Sequence, residues 1–91
     1  AEDIQKTVAN YFRVKVPDLK SAKRTKVLVF PRQIAMHLCR ELTNLSLAEI
    51  ATAFGKRDHT TVLHAISRIE EAMRQDPDLD QIIKFLIEDI K

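Results

Sequence analysis

An all-α domain of five to six helices is the fold class this sequence predicts, and three observations predict it. The 91 residues are dominated by the helix formers Leu, Ile, Ala, Glu, Lys, Arg and Gln, with a single Gly. Apolar residues recur at three- and four-residue spacing in five stretches, with little of the alternation that marks half-buried strands. The stretches are separated by Pro17, Gly55 and the Asp76-Pro77-Asp78 run, all residues that break regular structure. Apolar content of 45% with 31% charged residues is globular, and the length suits one domain, 1–91, with a modest core.

Ile4, Val8 and Tyr11/Phe12 predict a first amphipathic helix over 2–13, with Asp3 as its N-cap. Its length and its shortage of cations favour packing over lying on a membrane surface. Pro17 and Asp18-Leu19 mark a turn or a short helical turn, and residues 20–29 read as a basic loop. Pro31 suits the first turn of a helix, where a missing N–H costs nothing. Ile34, Leu38 and Leu42 then extend that helix over 31–44, with Arg32, Gln33, His37, Arg40 and Glu41 on its outer face. Ser46-Leu47-Ala48-Glu49 is a capping box that opens a short helix, 47–54, burying Leu47, Ile50, Ala51 and Phe54. Gly55 follows at the position where a left-handed conformation is needed. Asp58 caps a helix over 59–75 striped by Val62, Ala65, Ile66, Ile69 and Met73, and a last helix, 78–90, buries Leu79, Ile82, Ile83, Leu86 and Ile90.

Net charge is only +2, but it is unevenly spread. Residues 13–32 hold seven Lys/Arg against Asp18 alone, whereas residues 70–91 hold three against seven carboxylates. A basic segment on a near-neutral domain points to a localised polyanion site. Cys39, the only cysteine, cannot form an internal disulfide, so a reducing, cytoplasmic setting is expected. No apolar run approaches the roughly 20 residues of a membrane-spanning helix, and no signal peptide is visible. The chain opens on Ala1 in a helical pattern, which leads us to expect a longer parent protein.

Three features bear on function. The first is the order short helix, Gly turn, longer helix over about 46–75, which is that of a helix-turn-helix. The second is the polar start of the longer helix, Lys56-Arg57-Asp58-His59-Thr60-Thr61. A recognition helix reads bases with its N-terminal residues. Asp58 can accept from cytosine N4, the Thr60 and Thr61 methyls can touch thymine methyls, and Lys56 and Arg57 can hold phosphates. Asp58 as a plain N-cap, with the threonines as first-turn residues, is compatible with that reading. The third is the basic loop Lys23-Arg24-Thr25-Lys26, from which an exposed Arg can enter an A/T-rich minor groove. Read alone, that loop is ordinary surface charge.

The runs Pro31-Arg32-Gln33-Ile34-Ala35-Met36, Arg40-Glu41-Leu42-Thr43, Ser46-Leu47-Ala48-Glu49-Ile50 and Phe54-Gly55-Lys56-Arg57-Asp58-His59-Thr60-Thr61-Val62-Leu63-His64-Ala65 resemble the DNA-binding domain of the DnaA family of bacterial replication initiators. The resemblance covers almost the whole chain up to about Asp76. It implies a helix-turn-helix fold like that of the Trp repressor, and sequence-specific binding of double-stranded DNA at the DnaA box of a replication origin. It implies base contacts from Arg24 in the minor groove and from Asp58, His59, Thr60 and Thr61 in the major groove. Beside the phosphate role already read for Lys56 and Arg57, it places Lys26, Arg32, Gln33, Arg40, His64 and Arg68, and the backbone amides of Leu47 and Ala48, near phosphates. Ala48 stands where many members have Pro, which restores an N–H donor; Ala22 and Thr25 dilute a loop that is richer in Arg elsewhere in the family. For the parent it implies ATP on a separate ATPase module, oligomerisation through other modules, and acidic phospholipids among the partners. For this domain it implies a monomer without a cofactor, at work on the nucleoid.

Nothing in the residues themselves suggests an enzyme. No phosphate-binding G-x-x-x-x-G-K-[ST] run occurs, and Gly55-Lys56 lacks the Gly-rich loop before it. His64 and Ser67 lack an acid partner for a triad. His37, Cys39, His59 and His64 are the soft metal ligands, without C-x-x-C or H-x-x-x-H spacing, so no metal site is expected. Cys39 falls on an apolar stripe as a small core residue. A second reading stays open, that of a helical protein-interaction module whose basic loop docks an acidic partner.

Overall fold

The computed structural model describes residues 1–90 and contains six helices. They are α1 (Glu2–Phe12), α2 (Val16–Leu19), α3 (Lys26–Leu42), α4 (Leu47–Ala53), α5 (His59–Gln75) and α6 (Pro77–Ile90). No strand is present among the described residues. None of these helices is long and apolar enough to cross a membrane.

The central element is α3, with α1, α2, α4 and α5 packed around it, while α6 closes over α1 and α5. Ile34, Leu38, Ile50, Phe54, Val62, Ile69, Ile83 and Leu86 are fully or almost fully removed from water and join in one core. Each buried Leu, Ile or Phe side chain contributes roughly 1.5–3 kcal/mol, so this cluster is what sets the helix positions. Cys39 lies within it, as its stripe predicts. Gln5 is also buried, and its Nε2 donates to the Ala53 carbonyl at 2.9 Å, tying α1 to the end of α4.

Three expectations need correction. Asp3 is not the N-cap of α1: the Gln5 N–H donates to the Ala1 carbonyl at 2.9 Å, so the helix is already formed and Glu2 and Asp3 occupy its first turn. There the two carboxylates face the positive end of the helix dipole. Second, α3 begins at Lys26, five residues before the expected start, and Pro31 lies inside it. Within Val27-Leu28-Val29-Phe30 the added helical turn buries Leu28, while Val27 and Phe30 stay exposed. Tertiary burial thus outweighs the missing Pro31 N–H, and the basic loop shrinks to residues 20–25. Third, Arg32 and His37 are not on an outer face; they are 5% and 4% exposed.

Candidate nucleic-acid interface

The helix-turn-helix is built by two caps. Ser46 Oγ accepts from the Glu49 N–H at 3.1 Å, and the Ser46 N–H donates to Glu49 Oε1 at 2.9 Å, so the predicted capping box is present at the start of α4. It leaves the amides of Leu47 and Ala48 outside the cap. Leu47 is half-buried against the core, while Ala48 is exposed. The turn out of α4 pivots on Phe54, which is fully buried, and passes through left-handed Gly55 (φ 93°) and Lys56 (φ 60°). Asp58 then caps α5, its Oδ1 accepting from the Thr60 N–H at 2.9 Å and from the Thr60 hydroxyl.

Those bonds also fix the chemistry of Asp58. The Thr60 hydroxyl, then the Thr60 N–H, and then neighbouring His59 hold its carboxyl below the usual carboxylate range. Both cap bonds go to Oδ1, and Oδ2 stays available to accept from outside. Capping and base contact are therefore compatible at this one residue. His59, Thr60, Thr61, His64 and Arg68 are all exposed.

The basic loop is held from two sides. From α3, Arg32 donates through Nε to the Leu19 carbonyl at 2.8 Å, and through its two terminal nitrogens to the carbonyls of Lys23 at 2.9 Å and Asp18 at 3.0 Å. From the helix-turn-helix, the Arg57 guanidinium donates to the Ser21 carbonyl, and Gly55 lies against the Lys20 carbonyl. Arg32 and Arg57 are thus occupied with the loop's own backbone. For Arg32 this gives a scaffolding role, since each of its three nitrogens donates to a carbonyl of the loop from a nearly buried side chain. Arg57 is half-buried and partly committed in the same way.

The loop so held carries Arg24 to the start of α5. Exposed Arg24 lines one surface recess together with Val29, Arg32, Arg57, Asp58 and Thr61. The guanidinium groups feel one another. Burial, and then the charge of Arg57, lower the pKa of Arg32; burial, and then the charge of Arg24, lower that of Arg57. Three like charges in a row make a strongly positive strip whose natural complement is an anion.

Two further recesses continue the same surface. One, between the two helices of the motif, is lined by Ala48, Thr52, Lys56, Arg57, Asp58 and His59. The other, between α3 and α5, is lined by Gln33, Met36, Thr61, His64 and Arg68. Asp58 and Arg57 belong to the first two recesses, and Thr61 joins the first to the third. The structure therefore gathers Arg24, Asp58, His59, Thr61, Gln33, Ala48, Lys56, Arg57, His64 and Arg68 in adjoining recesses around the start of α5. Thr60 is exposed beside Asp58. Lys26 and Arg40 are exposed near the start and end of α3 and line none of these recesses. Sequence reasoning missed Thr52, whose hydroxyl donates to the Ala48 carbonyl at 3.1 Å. Its spacing of four from Ala48 was the available signal.

A sequence profile described as the bacterial dnaA protein helix-turn-helix matches residues 1–69. The chain belongs to the DnaA family. It is 54% identical over 88 residues to the chromosomal replication initiator protein DnaA of Treponema denticola, covering 97% of this chain and 19% of that protein. With the DnaA of Geobacter sp. strain M21 it shares 51% over 90 residues, covering 99% of this chain and again 19% of the relative. The chain thus spans about a fifth of the length of these relatives. Among solved structures, a DNA replication initiation factor aligns with a TM-score of 0.86 at 45% identity, over 96% of this chain and 26% of that one. A replication initiator DnaA bound to AMPPCP and single-stranded DNA aligns at 0.81 and 41%, over 97% of this chain and 27% of that one. This DnaA-family domain is all-helical and carries the family's helix-turn-helix.

Proposed function

We propose that the domain binds double-stranded DNA sequence-specifically at the DnaA box, serving as the DNA-recognition module of a replication initiator. The start of α5 enters the major groove, where Asp58, His59, Thr60 and Thr61 meet base edges. Arg24 enters the adjoining minor groove, drawn by its negative potential. Lys26, Gln33, Arg40, Ala48, Lys56, His64 and Arg68 neutralise or hydrogen-bond the flanking phosphates, with the Leu47 amide beside them. One observation carries this reading: Arg24 and the Asp58/Thr61 start of the recognition helix share one recess. A reader of two grooves needs its loop and helix on a common surface. The like charges of Arg24, Arg57 and Arg32 along that surface support it. ATP binding and oligomerisation belong, in this reading, to the longer parent.

Titration of labelled duplexes, one with a DnaA box and one scrambled, at two salt concentrations tests the proposal. The box duplex binds more tightly at both, and affinity falls steeply with salt as counterions are released. Equal affinity for the two duplexes would overturn it, and would favour an acidic protein partner for the basic surface.

A further inference from the structure

His37 lines a recess that shares no residue with the three described above. It is 4% exposed, and its buried Nδ1 has no hydrogen-bond partner. A native protein rarely leaves a buried polar nitrogen unsatisfied without a reason. Glu41 stands one helical turn further along α3, and Glu70 comes from α5. One ligand atom from each of the three residues lies within 4.8 Å of the others. All three line a recess between α3, α5 and α6.

The two cations that line this recess are paired with other carboxylates. Arg74 is paired with Glu71, and Lys84 Nζ lies 3.0 Å from Asp80 Oδ2. Among the described residues, Glu41 and Glu70 form no salt bridge. A buried imidazole thus lies beside two carboxylates that form no salt bridge among the described residues.

We infer that His37, Glu41 and Glu70 form a binding site for a divalent transition-metal cation, of which Zn²⁺ is the natural occupant. One nitrogen and two carboxylate oxygens suit Zn²⁺ or Mn²⁺, whereas Mg²⁺ and Ca²⁺ prefer all-oxygen shells. Tetrahedral zinc with bonds of about 2.0–2.1 Å needs donors about 3.3 Å apart. The buried imidazole is fixed, and the exposed glutamates are free to swing the remaining distance. Three protein ligands leave the fourth position to water. The ion would join α3 to α5, which carries the proposed base-contacting residues at its start. Thiol spacings and paired histidines do not reveal such a site, because Glu70 is distant in sequence. Only the His37/Glu41 spacing of four was visible.

Calorimetric titration of the chelator-stripped protein with ZnCl₂, together with a thermal melt at saturation, tests this. Wild type binds one equivalent saturably and its Tm rises, because the ion binds the folded state. Glu41→Gln and Glu70→Gln are exposed changes that leave the core alone, and each weakens binding about tenfold or more. Glu88→Gln, on exposed α6 surface, serves as the control and binds as wild type does. Absence of a saturable phase in wild type, or undiminished binding in either Glu41→Gln or Glu70→Gln, overturns the assignment.

Discussion

A Cβ placed on Gly55 would lie 2.2 Å from the carbonyl oxygen of Lys20. The turn of the helix-turn-helix and the backbone of the basic loop are in contact there, with no room for a side chain. Gly55 also has φ 93°, a conformation that L-residues rarely adopt. Gly55→Ala therefore meets both strain and a clash with backbone. It is expected to destabilise the domain by more than about 1 kcal/mol in urea unfolding. It should also weaken DNA binding beyond its effect on folding, since the loop must move away from α5. Wild-type stability and affinity in this variant would show that the approach is not needed.

Arg24 and Arg32 should separate cleanly into binding and folding. Arg32 serves three carbonyls from a nearly buried position, so Arg32→Met leaves acceptors unpaired and costs roughly 2–3 kcal/mol of stability. Arg24 is exposed, and Arg24→Ala should shift stability by no more than about 0.5 kcal/mol. Its loss should instead weaken binding to A/T-rich duplexes. Thermal melts and duplex titrations on both variants check the split; a stable Arg32→Met that loses only DNA affinity would instead favour the phosphate contact expected of it.

The reversal at Arg32 shows where the sequence is legible. Capping chemistry and apolar spacing are local signals, and Ser46/Glu49, Asp58 and the limits of α5 follow from them. The exposed polar start of α5 is equally local. Arg32 is misread because its three acceptors lie 9 to 14 residues away, beyond any helical periodicity. The start of α3 is misread because Pro31 is a strong local signal, yet the burial of Leu28 outweighs it. The meeting of Gly55 with Lys20 cannot be inferred from spacing at all. The one glycine in the chain flags its own position, but not its neighbour.

Cys39 is expected to be inert in the folded domain. Burial pushes its thiol up to about 11, against an ordinary value of 9.0. A thiol raised on folding stabilises the native state fully below the unfolded pKa, and that contribution is lost as pH rises through the folded value. Stability should therefore decline between about pH 9 and 11, and a Cys39→Ala variant should lack that part of the decline. At neutral pH, alkylation by iodoacetamide should proceed only as fast as the protein opens, and urea should release it. Rapid labelling of the native protein would contradict the buried placement.

Asp58 holds two roles in this structure, and Asp58→Asn divides them. Asparagine caps a helix about as well as aspartate, so unfolding near neutral pH should be unchanged. The Asp58 carboxyl is held below its ordinary value chiefly by the Thr60 hydroxyl and N–H, so its capping contribution is present above the unfolded pKa. That contribution is lost as pH falls through the lower, folded value, and the acid limb of the stability profile should flatten in the variant. DNA binding should respond differently. An ionised carboxylate only accepts hydrogen bonds, whereas an amide both donates and accepts. If Asp58 Oδ2 meets a cytosine amino group, the substituted amide keeps an acceptor but loses the penalty against bases that present an acceptor of their own. Affinity for the intact box should then change less than discrimination at one base pair, which should relax by about tenfold or more. A panel of single-substitution duplexes titrated against both proteins measures this directly, and unchanged discrimination at every position would confine Asp58 to capping α5.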